Sequence, residues 1–156
     1  MSIQLKKILV ATDFSEHALL ALRYGVELAR QFSAELLICH VVPYPDLISE
    51  LPPTAEAYIP SNLHEMHVRI AEEQGQKLIT EHCQGVNTSF HYRSGSPFVE
   101  IVRLAKDENA DLLIVGTHGR GAVAHMLLGS VAERVVRKAP CPVLTIRAGQ
   151  HDFVQP

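Results

Sequence analysis

Short apolar runs recur along this chain, and the segments between them return their apolar residues every three or four positions, an alternation that leaves few folds open. Lys7-Ile8-Leu9-Val10-Ala11 ends at Thr12-Asp13-Phe14-Ser15, where the Ser15 side chain can accept a free amide of the helix that follows. In that helix Ala18, Ala21, Gly25, Leu28 and Phe32, with Leu19, Leu22, Val26 and Ala29, make a wide apolar face. Leu36 to Val42 is apolar at almost every position, as suits a strand covered by helices on both faces. Ser61 or Asn62 opens a second helix that runs to about His82, with Leu63, Met66, Ile70, Ala71, Leu78 and Ile79 on one face and Gly85 beyond its end.

Val86 to Tyr92 alternates in part and reads as an edge-like strand of mixed burial. Ser96-Pro97 starts a third helix that faces Phe98, Ile101, Val102 and Ala105 inward and ends near Asn109. Leu112 to Val115 is a fourth strand. A last helix begins around Ser130 with Ala132, Val135, Val136 and Ala139 inward, and Val143 to Arg147 is the fifth strand. Five strands alternating with amphipathic helices predict a doubly wound parallel sheet, helices on both faces, flavodoxin or Rossmann-like in kind. The expected strand order is 3-2-1-4-5, which sets the ends of the first and fourth strands side by side.

With 156 residues and no repeat or dividing linker, residues 1–156 read as a single domain. The segment 43–60 carries five of the nine prolines and reads as a long loop, and 148–156 reads as a flexible tail. Formal net charge is -3 and the 14 Lys and Arg are scattered, so the footprint of a nucleic-acid binder is missing. No window reaches the roughly 18 apolar residues of a membrane span and no secretory leader is evident, so the expected compartment is the cytoplasm, with no membrane partner. Cys39, Cys83 and Cys141 are odd in number and lack paired spacing, which fits reduced thiols.

In a parallel sheet of this kind, ligands bind beyond the carboxyl ends of the strands, where successive connections leave in opposite directions. Three strand ends draw the eye there: Ala11-Thr12-Asp13, His40-Val41-Val42, and the glycine cluster after Val115. The cluster reads Gly116-Thr117-His118-Gly119-Arg120-Gly121-Ala122, and Gly129-Ser130 opens the last helix. Backbone amides unshielded by Cβ atoms, next to a helix N-terminus, make a phosphate-binding arrangement. The pattern is neither the Walker sequence, since Gly-Lys-Ser/Thr is absent, nor the dinucleotide fingerprint, whose glycines fall at the first βα turn.

Gly116-x-x-Gly119, nine residues and Gly129-Ser130 resembles the nucleotide motif of the ATP-binding universal stress proteins. The resemblance extends to Lys7–Ser15, His40-Val41, Gly95-Ser96-Pro97, Gly129–Glu133 and Pro142-Val143-Leu144, and leaves out only the proline-rich loop and the tail. It implies that the backbone at Val41 meets adenine, that Ala11, Thr12 and Asp13 border the ribose and phosphates, and that Gly116 to Ala122 wrap them. It implies too that Ser130, with the amides of Val131 and Ala132, binds the phosphate tail. Mg2+ or Mn2+ would come with ATP, with Asp13 the protein-side candidate near it. A homodimer through the strand Val143 to Arg147 is implied as well, since an unpaired edge seeks a partner or a cover. Many members carry proline at the first strand end, where this chain has Ala11.

The expected function is therefore nucleotide-dependent regulation in a stress response, with slow or no turnover, because the motif shows no positioned base and no second cationic clamp. A hydrolase or transferase on the same scaffold is the enzyme alternative, and it lacks a Ser-Gly-Gly loop after the first strand and a His-x-Gly-His. A nucleotide-free interaction protein is the other alternative, and the intact glycine pattern argues against it. Ser130 sits in no Gly-x-Ser-x-Gly elbow, so nucleophilic hydrolysis has no support. His64 and His67, one helical turn apart, lack a third ligand and read as a solvated helix face.

Overall fold

The computed structural model describes residues 3–42, 62–117 and 129–147. The proline-rich segment 43–60, the tail 148–156 and His118 to Ala122 of the glycine cluster lie outside the described residues. The elements are β1 (Lys7–Ala11), α1 (Glu16–Phe32), β2 (Glu35–Val42), α2 (Leu63–His82), β3 (Thr88–Ser94), α3 (Pro97–Asp107), β4 (Leu112–Gly116), α4 (Ser130–Lys138) and β5 (Val143–Ile146). All strand pairs are parallel and the sheet order is β3-β2-β1-β4-β5.

Because successive residues of a strand point to opposite faces, each apolar run feeds two cores at once. On one face Ile8, Val10, Leu36, Ile38 and Ile114 pack with Ala21, Leu22, Val26 and Ala29 of α1 and with Cys83 just after α2. On the other, Leu9, Leu37, Cys39, Leu113 and Val115 pack with Ile101, Leu104 and Ala105 of α3 and with Ala132 and Val135 of α4. A Cβ on Gly25 would stand 2.5 Å from Val10 Cγ2, so glycine lets α1 press close to the strand it follows. The chain thus leaves β1 toward one face and its neighbour β4 toward the other, and the crevice between those two exits is the topological switch point.

Several expected details shift. β3 runs Thr88–Ser94 rather than Val86 to Tyr92, because the Val86 amide closes a turn on the Cys83 carbonyl (3.2 Å) and β2 reaches far enough to pair Val42 with Ser94. It is one of the two edge strands, with every residue half-buried. Met66 and Ile70 of α2 are exposed, not core, because only a narrow strip at Ala71 and Gly75 is fully covered. Gly75 sits so low over Phe90 that a Cβ would lie 2.5 Å from the ring. Val136 of α4 and Phe32 at the last turn of α1 are likewise exposed. α3 stops at Asp107, followed by Asn109 in a left-handed conformation (φ 52°), and Arg147 falls outside β5. No described helix is long and apolar enough to cross a membrane.

Candidate functional site

The turn leaving β1 is held by its own main chain and by β2. The Thr12 amide donates to the Cys39 carbonyl (2.8 Å), continuing the sheet one residue beyond β1, and Thr12 is buried. Its hydroxyl oxygen then accepts from the Phe14 amide (3.1 Å), which holds Phe14 in the left-handed region at φ 62°. Asp13 accepts from the Ser15 amide through Oδ1 (3.0 Å), and Ser15 Oγ accepts from the Ala18 amide (3.2 Å) as the helix cap the sequence predicts. Asp13 is thus a turn-forming carboxylate at a helix start, whatever else it binds.

His40 enters this turn from β2. Its Nδ1 lies 2.8 Å from the Thr12 carbonyl oxygen, and its ring sits 4.4 Å from that of Phe14, centroid to centroid. Sequence reasoning used His40 only as part of a motif and assigned it no role. The available signal was a polar ring at the carboxyl end of an otherwise apolar strand.

Beyond β4 the Thr117 amide donates to the Ile146 carbonyl (2.9 Å), and the Thr117 carbonyl accepts from the Gly129 amide (2.6 Å). The first bond ties the end of β4 to β5, and the second ties the start of α4 to the end of β4. Gly129 is the N-cap, with φ -64° and ψ 151°, and supplies no side-chain cap to the amides of the first turn. Its backbone is one any residue could adopt. Space is what demands glycine, since a Cβ would come 2.8 Å from the Thr117 carbonyl oxygen. Ser130 and Val131 are exposed at the mouth of the helix, whereas Ala132 is buried in the core. Ser130 is the first helical residue rather than a cap.

The sheet order sets β1 between β2 and β4, so Ala11, Thr12 and Asp13 share one edge with Val41 on one side and Gly116 and Thr117 on the other. Gly129, Ser130, Val131 and Ala132 join that edge through the Gly129–Thr117 bond. His118, Gly119, Arg120, Gly121 and Ala122 lie outside the described residues. Below the edge, burial pushes the Cys39 thiol up to about 12, so it stays protonated and packs as an apolar group. Among the described residues no three His, Cys, Asp or Glu side chains gather as metal ligands. His64 is exposed, with its ring edge-on to Tyr92 at 6.2 Å.

The arrangement offers helix-start amides and unshielded backbone at a switch point, which suits an anion. The family model described as the universal stress protein family matches residues 4–147. A universal stress protein of Methanocaldococcus jannaschii is 35% identical over 150 residues, covering 91% of this chain and 82% of its own. One from Thermus aquaticus is 36% identical over 91% of this chain and 98% of its own. Among solved structures, that of protein MJ0577 superposes with a TM-score of 0.80 at 30% identity, covering 95% of this chain and 99% of its own. A universal stress protein crystallised in complex with cAMP superposes with a TM-score of 0.63 at 25% identity, covering 94% of this chain and all of its own.

Proposed function

This chain belongs to the universal stress protein family, and from that premise we propose that it is a single-domain, ATP-binding regulatory member whose site is the β1–β4 switch point. One observation carries the reading. The Gly129 amide is bonded to the Thr117 carbonyl with no room for a Cβ between them, so the start of α4, whose cap residue has no side chain, stands at the edge shared with Asp13. A helix start of this kind favours anions through its unpaired donors and its dipole. The family relative solved with cAMP supports an adenine nucleotide as the ligand class.

On this reading the backbone at Val41 takes the base, and Ala11, Thr12 and Asp13 border the sugar and phosphates. Gly116 and Thr117, continuing into His118, Gly119, Arg120, Gly121 and Ala122, wrap them. Ser130 and the amides of Val131 and Ala132 hold the phosphate tail. Asp13 is the carboxylate positioned toward a divalent ion, Mg2+ or Mn2+, which when bound neutralises phosphate charge. Asp13 also accepts from the Ser15 amide, which keeps the turn. Occupancy biases a partner-binding equilibrium, and turnover is slow or absent. The short β5 at the sheet edge is the proposed homodimer seam.

Calorimetric titration tests the reading: ATP with Mg2+ binds at least about tenfold more tightly than AMP, because the recognition is aimed at the phosphate tail. Equal affinities, or no ATP binding, would remove the site from the switch point.

A further inference from the structure

Asp13 stands between two residues, Thr12 and Phe14, and one side chain from another strand touches both. His40 Nδ1 reaches the Thr12 carbonyl at 2.8 Å, and the His40 ring lies 4.4 Å from the Phe14 ring with the planes tilted by 43°. We infer that His40 is the positioning residue of the ligand site, the device by which β2 fixes the β1–α1 turn and so aims Asp13. This rests on the proposed nucleotide site and adds to it a residue that need touch no nucleotide atom.

A carbonyl oxygen only accepts, so the proton of the neutral imidazole sits on Nδ1, and the tautomer is set by the turn. Thr12 is held from three directions. Its amide goes to Cys39, its carbonyl takes the His40 proton, and its hydroxyl takes the Phe14 amide. Phe14, in turn, holds a left-handed backbone that a bulky residue avoids unless its surroundings impose it. Here they are the Thr12 hydroxyl and the packing of Phe14 on His40, with Phe90 beyond at 6.3 Å. With both neighbours clamped, the Asp13 backbone has little freedom, and its side chain is further steered by the Ser15 amide. Removing the His40 donor frees the Thr12 carbonyl and the Phe14 ring together, and the carboxylate between them loses its aim.

The experiment uses the full chain with ATP, Mg2+ and AMP as probes. Nitrogen-detected imidazole spectra of the wild type are expected to show His40 protonated at Nδ1. Titrations then compare wild type, His40→Leu and His40→Asn, the last retaining an amide donor near the Nδ1 position. We expect about tenfold weaker Mg-ATP binding for the leucine variant, with the Mg2+-dependent gain in affinity largely lost, and recovery to within about threefold for asparagine. An Nε2-protonated ring in the wild type overturns the inference without recourse to a variant. So does a folded leucine variant that keeps the Mg2+-dependent gain, and in that case the nucleotide site itself stands. A wild type that binds no ATP fails the site first and the positioning role with it.

Discussion

The two ends of the sheet use polar groups in opposite ways. At the amino edge, charge closes on itself within the chain. Lys7 Nζ donates to Glu108 at 2.9 Å and lies 3.8 Å from Glu35, while Asp111 Oδ2 accepts from the Lys6 and Lys7 amides at 2.7 and 2.9 Å. At the carboxyl edge, Thr12, Asp13, Thr117 and His40 bond to main-chain partners, and Gly129, which caps the start of α4, has no side chain. An end whose charges are matched internally is a staple. On the proposed reading, the carboxyl end instead takes an anion from outside at its helix start. If this contrast is right, substitutions at the two ends will separate stability from binding.

Gly129→Val carries the largest expected effect. The new Cβ would meet the Thr117 carbonyl oxygen at 2.8 Å, so either α4 moves or the Gly129–Thr117 bond lengthens. The φ of -64° shows that the cost comes from crowding and not from a backbone only glycine can adopt. Destabilisation of about 1 to 3 kcal/mol is expected by denaturant unfolding, as for other overpacked sites. ATP binding should fall more than that loss of stability explains at temperatures where the variant remains folded. A variant that binds ATP like the wild type would break the contrast at its carboxyl end.

Asp111→Ala attacks the other end and should do the reverse. Two amides lose their acceptor at once, while the main-chain bond from the Asp111 amide to the Lys7 carbonyl (2.9 Å) stays. Partial access to water moderates the cost, to about 1 to 2 kcal/mol in unfolding free energy. ATP affinity should hold to within about twofold. A marked loss of nucleotide binding at unchanged stability would show that the amino edge reaches the site, and the division between the ends would fail.

The sequence made the layering legible because period-2 and period-3.6 patterns report burial directly, and Ile8, Leu9, Val10, Leu36, Leu37 and Ile38 left no solvent face to either side. It was less informative wherever burial depends on how close a helix comes. Met66 and Ile70 carry the right spacing, but α2 covers its sheet edge through Ala71 and Gly75, and Met66 and Ile70 stay exposed. The strand ends of the candidate site were legible as strand ends. The role of His40 was not, because the Thr12 carbonyl it meets is 28 residues away and a main-chain acceptor leaves no mark in the sequence. What excludes a side chain at Gly129 is its close approach to the Thr117 carbonyl, a contact that glycine spacing in the sequence does not reveal.

Glu108→Gln should have the smallest effect, and its pH dependence is the sharpest test of the amino edge as a staple. The Lys7 ammonium donates to Glu108 and so holds that carboxyl below its ordinary value of 4.5, and the same bond raises Lys7 above its ordinary 10.5. A depressed acid contributes stability that is present above its unfolded value and lost as pH falls through the folded one. A raised base contributes stability that is present below its unfolded value and lost as pH rises through the folded one. The melting-temperature difference between wild type and Glu108→Gln should therefore be level from the ordinary Glu range to the ordinary Lys range and shrink on both sides. Both side chains are about one-third exposed, so the level part is small and should diminish further in about 1 M salt, where the screening length is near 3 Å. A difference that persists below about pH 2, where the carboxylate is protonated, would mean that Glu108 acts through packing and not through charge.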